Sequence, residues 1–148
     1  MAKHTQAVII SSDYTSSQTP EKFDIPSRGE CTWHTLFSQP NTATDSMCAG
    51  IAVCPPHTGR LCPHRHEQAE IYYIISGKGV MTIDGKEHFV EGGGLVFVPG
   101  NAEHGIVNDG EEELRWFYVF PTAAFSNVVY HFSDEDAANG TKPVVKLS

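Results

Sequence analysis

Long apolar runs and basic residues are both scarce in this 148-residue chain. No stretch approaches the roughly 20 apolar residues of a membrane-spanning helix, so no membrane partner is expected. Lysine and arginine number 10 against 18 aspartates and glutamates, a formal net charge of -8. That balance argues against nucleic acid, whose phosphates are held by basic patches. The early apolar run Ala7–Ile10 is too short for a secretory signal, and a cytoplasmic protein is expected.

The four cysteines form no paired Cys-x-x-Cys arrangement. A chain of this length has enough residues for a core without disulfide staples. In a reducing compartment the cysteines are expected to be free thiols, either buried or partly exposed. These residues are Cys31, Cys48, Cys54 and Cys62.

Sustained helical periodicity is also missing, whereas short β-branched and aromatic runs recur from Trp33 onward. Asp84-Gly85 lies between two such runs and predicts a tight hairpin turn. About nine short strands at close spacing indicate an all-β sandwich or barrel. The predicted strands are Trp33–Phe37, Cys48–Val53, Ile71–Ile75, Val80–Ile83, His88–Val90, Leu95–Val98, Gly105–Val107, Leu114–Phe120 and Val128–Phe132.

The chain has the length of one domain with one core. Residues 1–30 are weakly patterned and rich in Ser, Thr and Pro, which predicts an extended N-terminal arm outside the core. The strand patterns predict a barrel over residues 31–133. The acidic residues that follow predict a solvated C-terminal tail over residues 134–148.

One predicted strand is apolar on both of its faces. Tyr72 and Ile74 face one way, while Ile71, Tyr73 and Ile75 face the other. A strand that is wet on one side alternates apolar with polar residues, so this strand is expected to be covered twice. A second copy of the chain would supply the second cover, and we predict a homodimer.

Two histidines, His64 and His66, are separated by one residue. In a strand, side chains two apart point to the same face, so both imidazoles converge. Glu70 keeps the same parity, and His104 follows a distant loop. Three imidazoles and one carboxylate suit Fe2+, Mn2+, Ni2+, Co2+ or Zn2+. A bare His-x-His pair by itself is more typical of histidines with ordinary hydrogen bonds than of metal ligands.

Two longer patterns around these residues resemble the paired motifs of the cupin family. The first has a glycine, the His-x-His pair, a glutamate and a second glycine, at Gly59, His64, His66, Glu70 and Gly77. The second runs from Gly93 through Pro99 to His104 and Asn108, with Asn101 where a glycine is usual. The resemblance implies a single-domain cupin, a double-stranded β-helix or jelly-roll-like barrel. It also implies one divalent metal, with Fe2+ or Mn2+ favoured, on His64, His66, Glu70 and His104.

A further set of residues is Ala69-Glu70-Ile71-Tyr72, Gly77-Lys78-Gly79, Gly100-Asn101-Ala102-Glu103-His104, Phe120-Pro121-Thr122, Phe125-Ser126 and Tyr130. Together they resemble the small cupin lyases that cleave dimethylsulfoniopropionate, from about residue 33 to 132 and most densely over residues 64–130. Those enzymes use a tyrosine two residues after the glutamate ligand, which is Tyr72 here. A second tyrosine near the end of their barrel contributes to the pocket, and Tyr130 matches it. The resemblance implies a metal-dependent lyase that performs β-elimination on a small carboxylate substrate, giving acrylate and dimethyl sulfide.

Tyr72 shares the parity of Glu70, which places its hydroxyl near the metal. A nearby divalent cation favours the phenolate and makes Tyr72 a base or a metal ligand. The alternative is a barrel-core aromatic residue with a hydrogen-bonded hydroxyl. A sulfonium group would be attracted to aromatic faces, for which the candidates are Trp33, Phe97, Trp116 and Tyr118.

A cupin fold does not fix the reaction, and other classes stay open. An Fe2+ dioxygenase would use the same ligands with open positions for oxygen and substrate. An isomerase or a decarboxylase is compatible with the same site. A non-catalytic sensor, whose metal fixes a small ligand, belongs to a third class.

Overall fold

The computed structural model describes residues 4–134, whose regular secondary structure is mostly β-strand. The all-β prediction is confirmed. The strands are β1 (Glu21–Lys22), β2 (Thr32–Phe37), β3 (Cys48–Cys54), β4 (Gly59–Arg65), β5 (Glu70–Ser76), β6 (Lys78–Ile83), β7 (Lys86–Glu91), β8 (Leu95–Val98), β9 (His104–Asn108), β10 (Leu114–Phe120) and β11 (His131–Phe132). Short helices occur at α1 (Tyr14–Ser17) and, as 3-10 turns, at Pro26–Arg28 and Phe125–Asn127.

Within residues 4–134, no helix has the length and apolarity to cross a membrane. The predicted acidic tail, apart from Asp134, lies outside the described residues.

The strands form two antiparallel sheets with the core between them. One sheet has the order β1-β2-β3-β10-β5-β8, and the other has the order β11-β4-β9-β6-β7. Strands β4 and β5 are consecutive in the chain but lie in different sheets, as do β8 and β9. The chain therefore crosses between the sheets at both places where the sequence predicts metal ligands.

One predicted hairpin is present in the structure, and one strand was missed by the sequence patterns. Asp84 and Gly85 form the two-residue loop between β6 and β7, with φ of 48° and 79°. Positive φ at both central positions is typical of a type I′ turn, which confirms the predicted hairpin. The sequence patterns left out β4, which contains Pro63. The ladder between β4 and β9 shifts register between Leu61 and His64, and such an irregularity accommodates a proline.

Two of the four cysteines are joined, which corrects the prediction of free thiols. Cys31 and Cys54 form a disulfide, with Cα atoms 4.5 Å apart. The antiparallel register of β2 and β3 explains this disulfide. Thr32 pairs with Val53, so Cys31 and Cys54, one residue further out on each strand, lie opposite one another. Cys48 and Cys62 are free, as predicted. Burial raises the pKa of the Cys48 thiol to about 11.

Part of the N-terminal arm packs on the core, contrary to the expectation that the arm lies outside it. Strand β1 pairs with β2, and Phe23 packs against the buried cluster between the sheets. Arg28 is buried as well, with its guanidinium 4.2 Å from the ring centre of Phe132 and 2.7 Å from Asp134. An aromatic ring among serines and prolines carries no periodicity, so the sequence pattern gave no signal for this contact.

The outer face of β5 is apolar and lies in solvent within this chain. Ile71, Tyr73 and Ile75 are 45%, 43% and 40% exposed. Leu95 and Phe97 on the neighbouring β8 are 73% and 64% exposed. The inner residues of β5 are buried, so the predicted division of its residues between two faces is confirmed, while the second cover stays a prediction.

Candidate metal centre

Three histidines meet between the two sheets. His64 lies near the end of β4 opposite His104, the first residue of β9, and His66 follows β4 directly. All three are at most 1% exposed. One possible ligand atom from each lies within 4.8 Å of the others. The predicted convergence of two neighbouring imidazoles with a distant third is therefore present in the fold.

Backbone carbonyls orient the three rings. The Nδ1 atoms of His64, His66 and His104 lie 2.8, 2.9 and 2.9 Å from the carbonyl oxygens of Cys62, Gln68 and Ala102. A carbonyl oxygen only accepts, so each Nδ1 must carry a proton and donate it. In a neutral imidazole the lone pair then lies on Nε2. Such a second bond is the usual way in which a metal-binding histidine is held.

The carboxylate of Glu70 lies against two of these Nε2 atoms. Its Oε2 is 3.2 Å from Nε2 of both His66 and His104, and the side chain is 2% exposed. Burial, together with His104, lowers the pKa of His64 well below its usual range. Within residues 4–134, Nε2 of His64 has no hydrogen-bond partner. Three imidazole Nε2 atoms beside a buried carboxylate form a donor set that fits a divalent metal.

The loop before His104 is hydrogen-bonded to the segment that carries His66. The N–H of Asn101 donates to the carbonyl of His66 at 2.7 Å. A Cβ at Gly100 would lie 2.3 Å from the carbonyl oxygen of Glu67, so only glycine allows this approach. Asn101 has φ of 63°, a conformation that asparagine tolerates better than most residues. The unusual Asn101 therefore fits the turn where the motif commonly has glycine.

A cavity of about 280 Å³ adjoins Glu70 between the sheets. Its volume lies just below the roughly 300–1,000 Å³ of pockets for drug-sized ligands, so it suits a smaller molecule. Both predicted tyrosines line it, together with many aromatic residues. The lining residues are Lys22, Phe23, Asp24, Cys31, Trp33, Ala52, Leu61, Glu70, Tyr72, Trp116, Tyr118, Phe125, Val128 and Tyr130.

The two tyrosines are held by ring contacts. Tyr130 stacks on His64 with ring centres 4.5 Å apart and planes 4° apart, and Tyr72 stacks on Trp116 at 5.4 Å. Burial raises the pKa of both phenols well above the usual range, and the carboxylate of Glu70 adds to the effect. Both hydroxyls are therefore neutral in the metal-free chain, mainly because burial disfavours the phenolate.

Three of the four aromatic candidates for a cationic group line the cavity, namely Trp33, Trp116 and Tyr118. Phe97 does not, because its parity in β8 turns it to the outer face, where it is 64% exposed. Phe23 and Phe125 line the cavity without having been expected there. Both come from irregular segments, where no strand parity shows which way a side chain points.

Comparison with known proteins agrees with this geometry. The family model of the cupin domain matches residues 50–120. The dimethylsulfoniopropionate lyase DddW of Ruegeria pomeroyi is 41% identical over 108 residues, which are 73% of this chain and 70% of that protein. The chain belongs to the cupin family. This cupin is an enzyme related to a lyase over most of its length, and the predicted cupin fold is confirmed.

Solved structures match the fold of this cupin at lower identity. The polyketide cyclase RemF of Streptomyces resistomycificus superposes with a TM-score of 0.65 and 23% identity, covering 76% of this chain and 80% of that one. A predicted oxalate decarboxylase of Thermotoga maritima gives a TM-score of 0.64 and 26% identity, covering 78% and 99%. The same barrel thus carries several chemistries, and the fold alone does not select among them.

Proposed function

We propose that this cupin is a metal-dependent lyase that cleaves a small carboxylate substrate by β-elimination, with dimethylsulfoniopropionate giving acrylate and dimethyl sulfide. The observation that carries the proposal is one cavity lined by both Glu70 and the phenol of Tyr72. A proton acceptor beside a metal ligand is what removal of a proton next to a carboxylate requires. The 41% identity to a lyase that acts on this substrate supports the same reaction.

The proposed ligands are His64, His66, Glu70 and His104, which would hold one divalent transition metal. Imidazole with carboxylate favours Fe2+ or Mn2+, while Ni2+, Co2+ and Zn2+ are compatible with the same donors. When bound, the metal supplies the Lewis acidity that makes the C–H bond next to the substrate carboxylate more acidic.

Tyr72 is the proposed proton acceptor. Burial is the main cause of the raised pKa of this phenol, and the charge of Glu70 adds to it; a cation beside Glu70 would offset the second effect and attract the phenolate. The phenolate oxygen takes the proton from the carbon next to the carboxylate. The electrons of that C–H bond form the new C=C bond, and the C–S bond breaks with its electron pair leaving on the sulfide. The products are acrylate, dimethyl sulfide and the proton on Tyr72.

Aromatic residues would position the two ends of the substrate. Tyr130, stacked on His64, is the proposed contact beside the reacting carbons. Trp33, Trp116 and Tyr118 line the same cavity and present the π faces that attract a sulfonium. The excess of 18 acidic over 10 basic residues supports a small-molecule substrate rather than nucleic acid.

The test is metal analysis of the purified protein, followed by assay of the metal-loaded form with dimethylsulfoniopropionate. We expect about one equivalent of metal per chain on the proposed four-ligand set. Acrylate and dimethyl sulfide should appear in equal amounts, without uptake of oxygen. Oxygen uptake that depends on substrate would contradict the lyase and favour a dioxygenase. Binding without turnover would favour a sensor.

We also propose that two chains pair through the outer faces of β5 and β8. Five large apolar residues lie exposed on these adjacent strands: Ile71, Tyr73, Ile75, Leu95 and Phe97. Contiguous apolar patches of this kind are typical of protein interfaces. A second copy supplies a face of the same chemistry, as a two-fold symmetric interface requires.

A further inference from the structure

We propose that Phe23 of the N-terminal arm is a specificity-determining wall of the cavity, which limits the size of the substrate group pointing away from the metal ligands. The inference rests on the proposed function in one respect, since it takes the occupant to be a small carboxylate held at the metal. The size limit itself follows from how the arm is anchored and where the ring of Phe23 lies.

The arm is fixed on both sides of Phe23. Before it, Glu21 pairs with Trp33 in the ladder of β1 and β2, and its carboxylate accepts a hydrogen bond from the N–H of Thr35 at 2.8 Å. After it, buried Arg28 binds Asp134 at 2.7 Å. These contacts on both sides tie the segment that carries Phe23 to the rest of the domain.

The ring of Phe23 packs on other aromatic rings of the site. Its centre lies 4.8 Å from that of Trp33, 5.6 Å from Phe132 and 6.3 Å from Tyr130. Phe23 is half-buried and also lines the cavity. These ring contacts hold the side chain of Phe23 in place. They therefore set how much of the cavity volume is left for a ligand.

Phe23 lies at the solvent end of the cavity. Its neighbours Lys22 and Asp24 also line the cavity and are exposed, whereas Glu70 at the metal end is 2% exposed. Lys22 and Asp24 carry opposite charges, so these two neighbours contribute no net charge there. Discrimination by this part of the arm should therefore depend on the size of the ligand.

The test uses calorimetric titration of the metal-loaded protein, which needs no turnover. The probes are propanoate, 4,4-dimethylpentanoate and 4,4-diethylhexanoate, saturated carboxylates with progressively larger far ends. Phe23→Ala should weaken 4,4-dimethylpentanoate by about tenfold and improve 4,4-diethylhexanoate relative to it by at least about tenfold, because the wall is removed. Phe23→Trp should shift the same ratio the opposite way, and propanoate should change by less than about twofold in both variants.

Ile25→Ala is the matched control, because Ile25 lies on the same arm, is 50% exposed and is not among the cavity-lining residues. It should leave all three affinities unchanged. A role of Phe23 in folding alone would move the Ala and Trp variants in the same direction for every ligand. That result would overturn the proposal, as would unchanged ratios or a wild-type protein that binds none of the three.

The wall and the lyase reaction can fail separately. Wild-type protein that releases no dimethyl sulfide, but whose size ratio moves oppositely in the two Phe23 variants, would reject the reaction and keep the wall. Active protein whose size ratio is the same in all variants would reject the wall and keep the reaction.

Discussion

Strand β5 presents two unlike faces built from alternating residues. Its inner face carries Glu70, Tyr72 and Ile74, each at most 2% exposed, toward the cavity and the histidines. Its outer face carries Ile71, Tyr73 and Ile75, which are apolar throughout but 40–45% exposed. Tyr72 and Tyr73 are adjacent and chemically identical, yet only Tyr72 lines the cavity. The face of the strand on which a tyrosine lies, and not its residue type, decides whether it lines the cavity or belongs to the proposed dimer interface.

The adjacent tyrosines give the largest contrast. Tyr72→Phe removes the proposed proton acceptor and should lower kcat by roughly a hundredfold to ten-thousandfold. Tyr73→Phe, the matched outer-face variant, should change kcat by less than about twofold, because no substrate reaches that face. Steady-state kinetics of acrylate formation measure both. Equal losses in the two variants would show that the phenol acts through the fold and not as a base.

The adjacent isoleucines make the same comparison for stability. Ile74 is 0% exposed, so Ile74→Ala should lower the free energy of unfolding by about 2–5 kcal/mol through lost burial and a cavity. Ile75→Ala should cost less than about 1 kcal/mol in the monomer. Urea unfolding at low protein concentration measures both. Similar costs would mean that the outer face packs on something within the monomer.

The proposed interface on the outer face can be disrupted by substitutions that leave the inner face unchanged. Leu95→Glu and Phe97→Glu place charges on the most exposed apolar residues of β8 and should weaken a dimer by about a hundredfold. Metal content should be unchanged, because these residues lie on the face opposite the ligands. Sedimentation of the wild type and the variants measures the effect. A wild-type monomer at micromolar concentration would contradict the dimer.

The smallest expected effect is a pH dependence of the metal-free protein. The pKa of His64 is lowered in the folded chain by burial and by His104, whereas the unfolded chain takes up this proton near pH 6.5. Between the two pKa values the unfolded state binds more protons, so stability is lost as the pH falls below about 6.5. Thermal unfolding from about pH 7 to 5 measures this.

His64→Gln should flatten that pH dependence. His88→Gln, which alters an exposed histidine on β7, should leave it unchanged. Metal bound to the inner face should keep or steepen the effect, because it holds the ring unprotonated in the folded state while the unfolded chain still takes up the proton. A Tm that rises on acidification would contradict the assigned sign.

How much the sequence predicts differs from residue to residue. Parity within one strand is local, so the split of Tyr72 from Tyr73 was readable from the sequence. The Cys31–Cys54 disulfide was not, since it depends on the register between β2 and β3. The placement of Phe97 in the cavity was wrong because its face could not be assigned before β8 was paired with β5.

By itself the sequence determined the strand alternation, the hairpin at Asp84-Gly85 and the chemistry of the candidate ligands. These follow from local geometry and from what each side chain can donate or accept. Only the tertiary structure decided that Phe23 lines the cavity and that backbone carbonyls orient the three histidine rings, two of which meet Glu70 through Nε2. Those contacts join irregular segments far apart in the chain, where periodicity carries no information and the packing of the whole domain sets the distance.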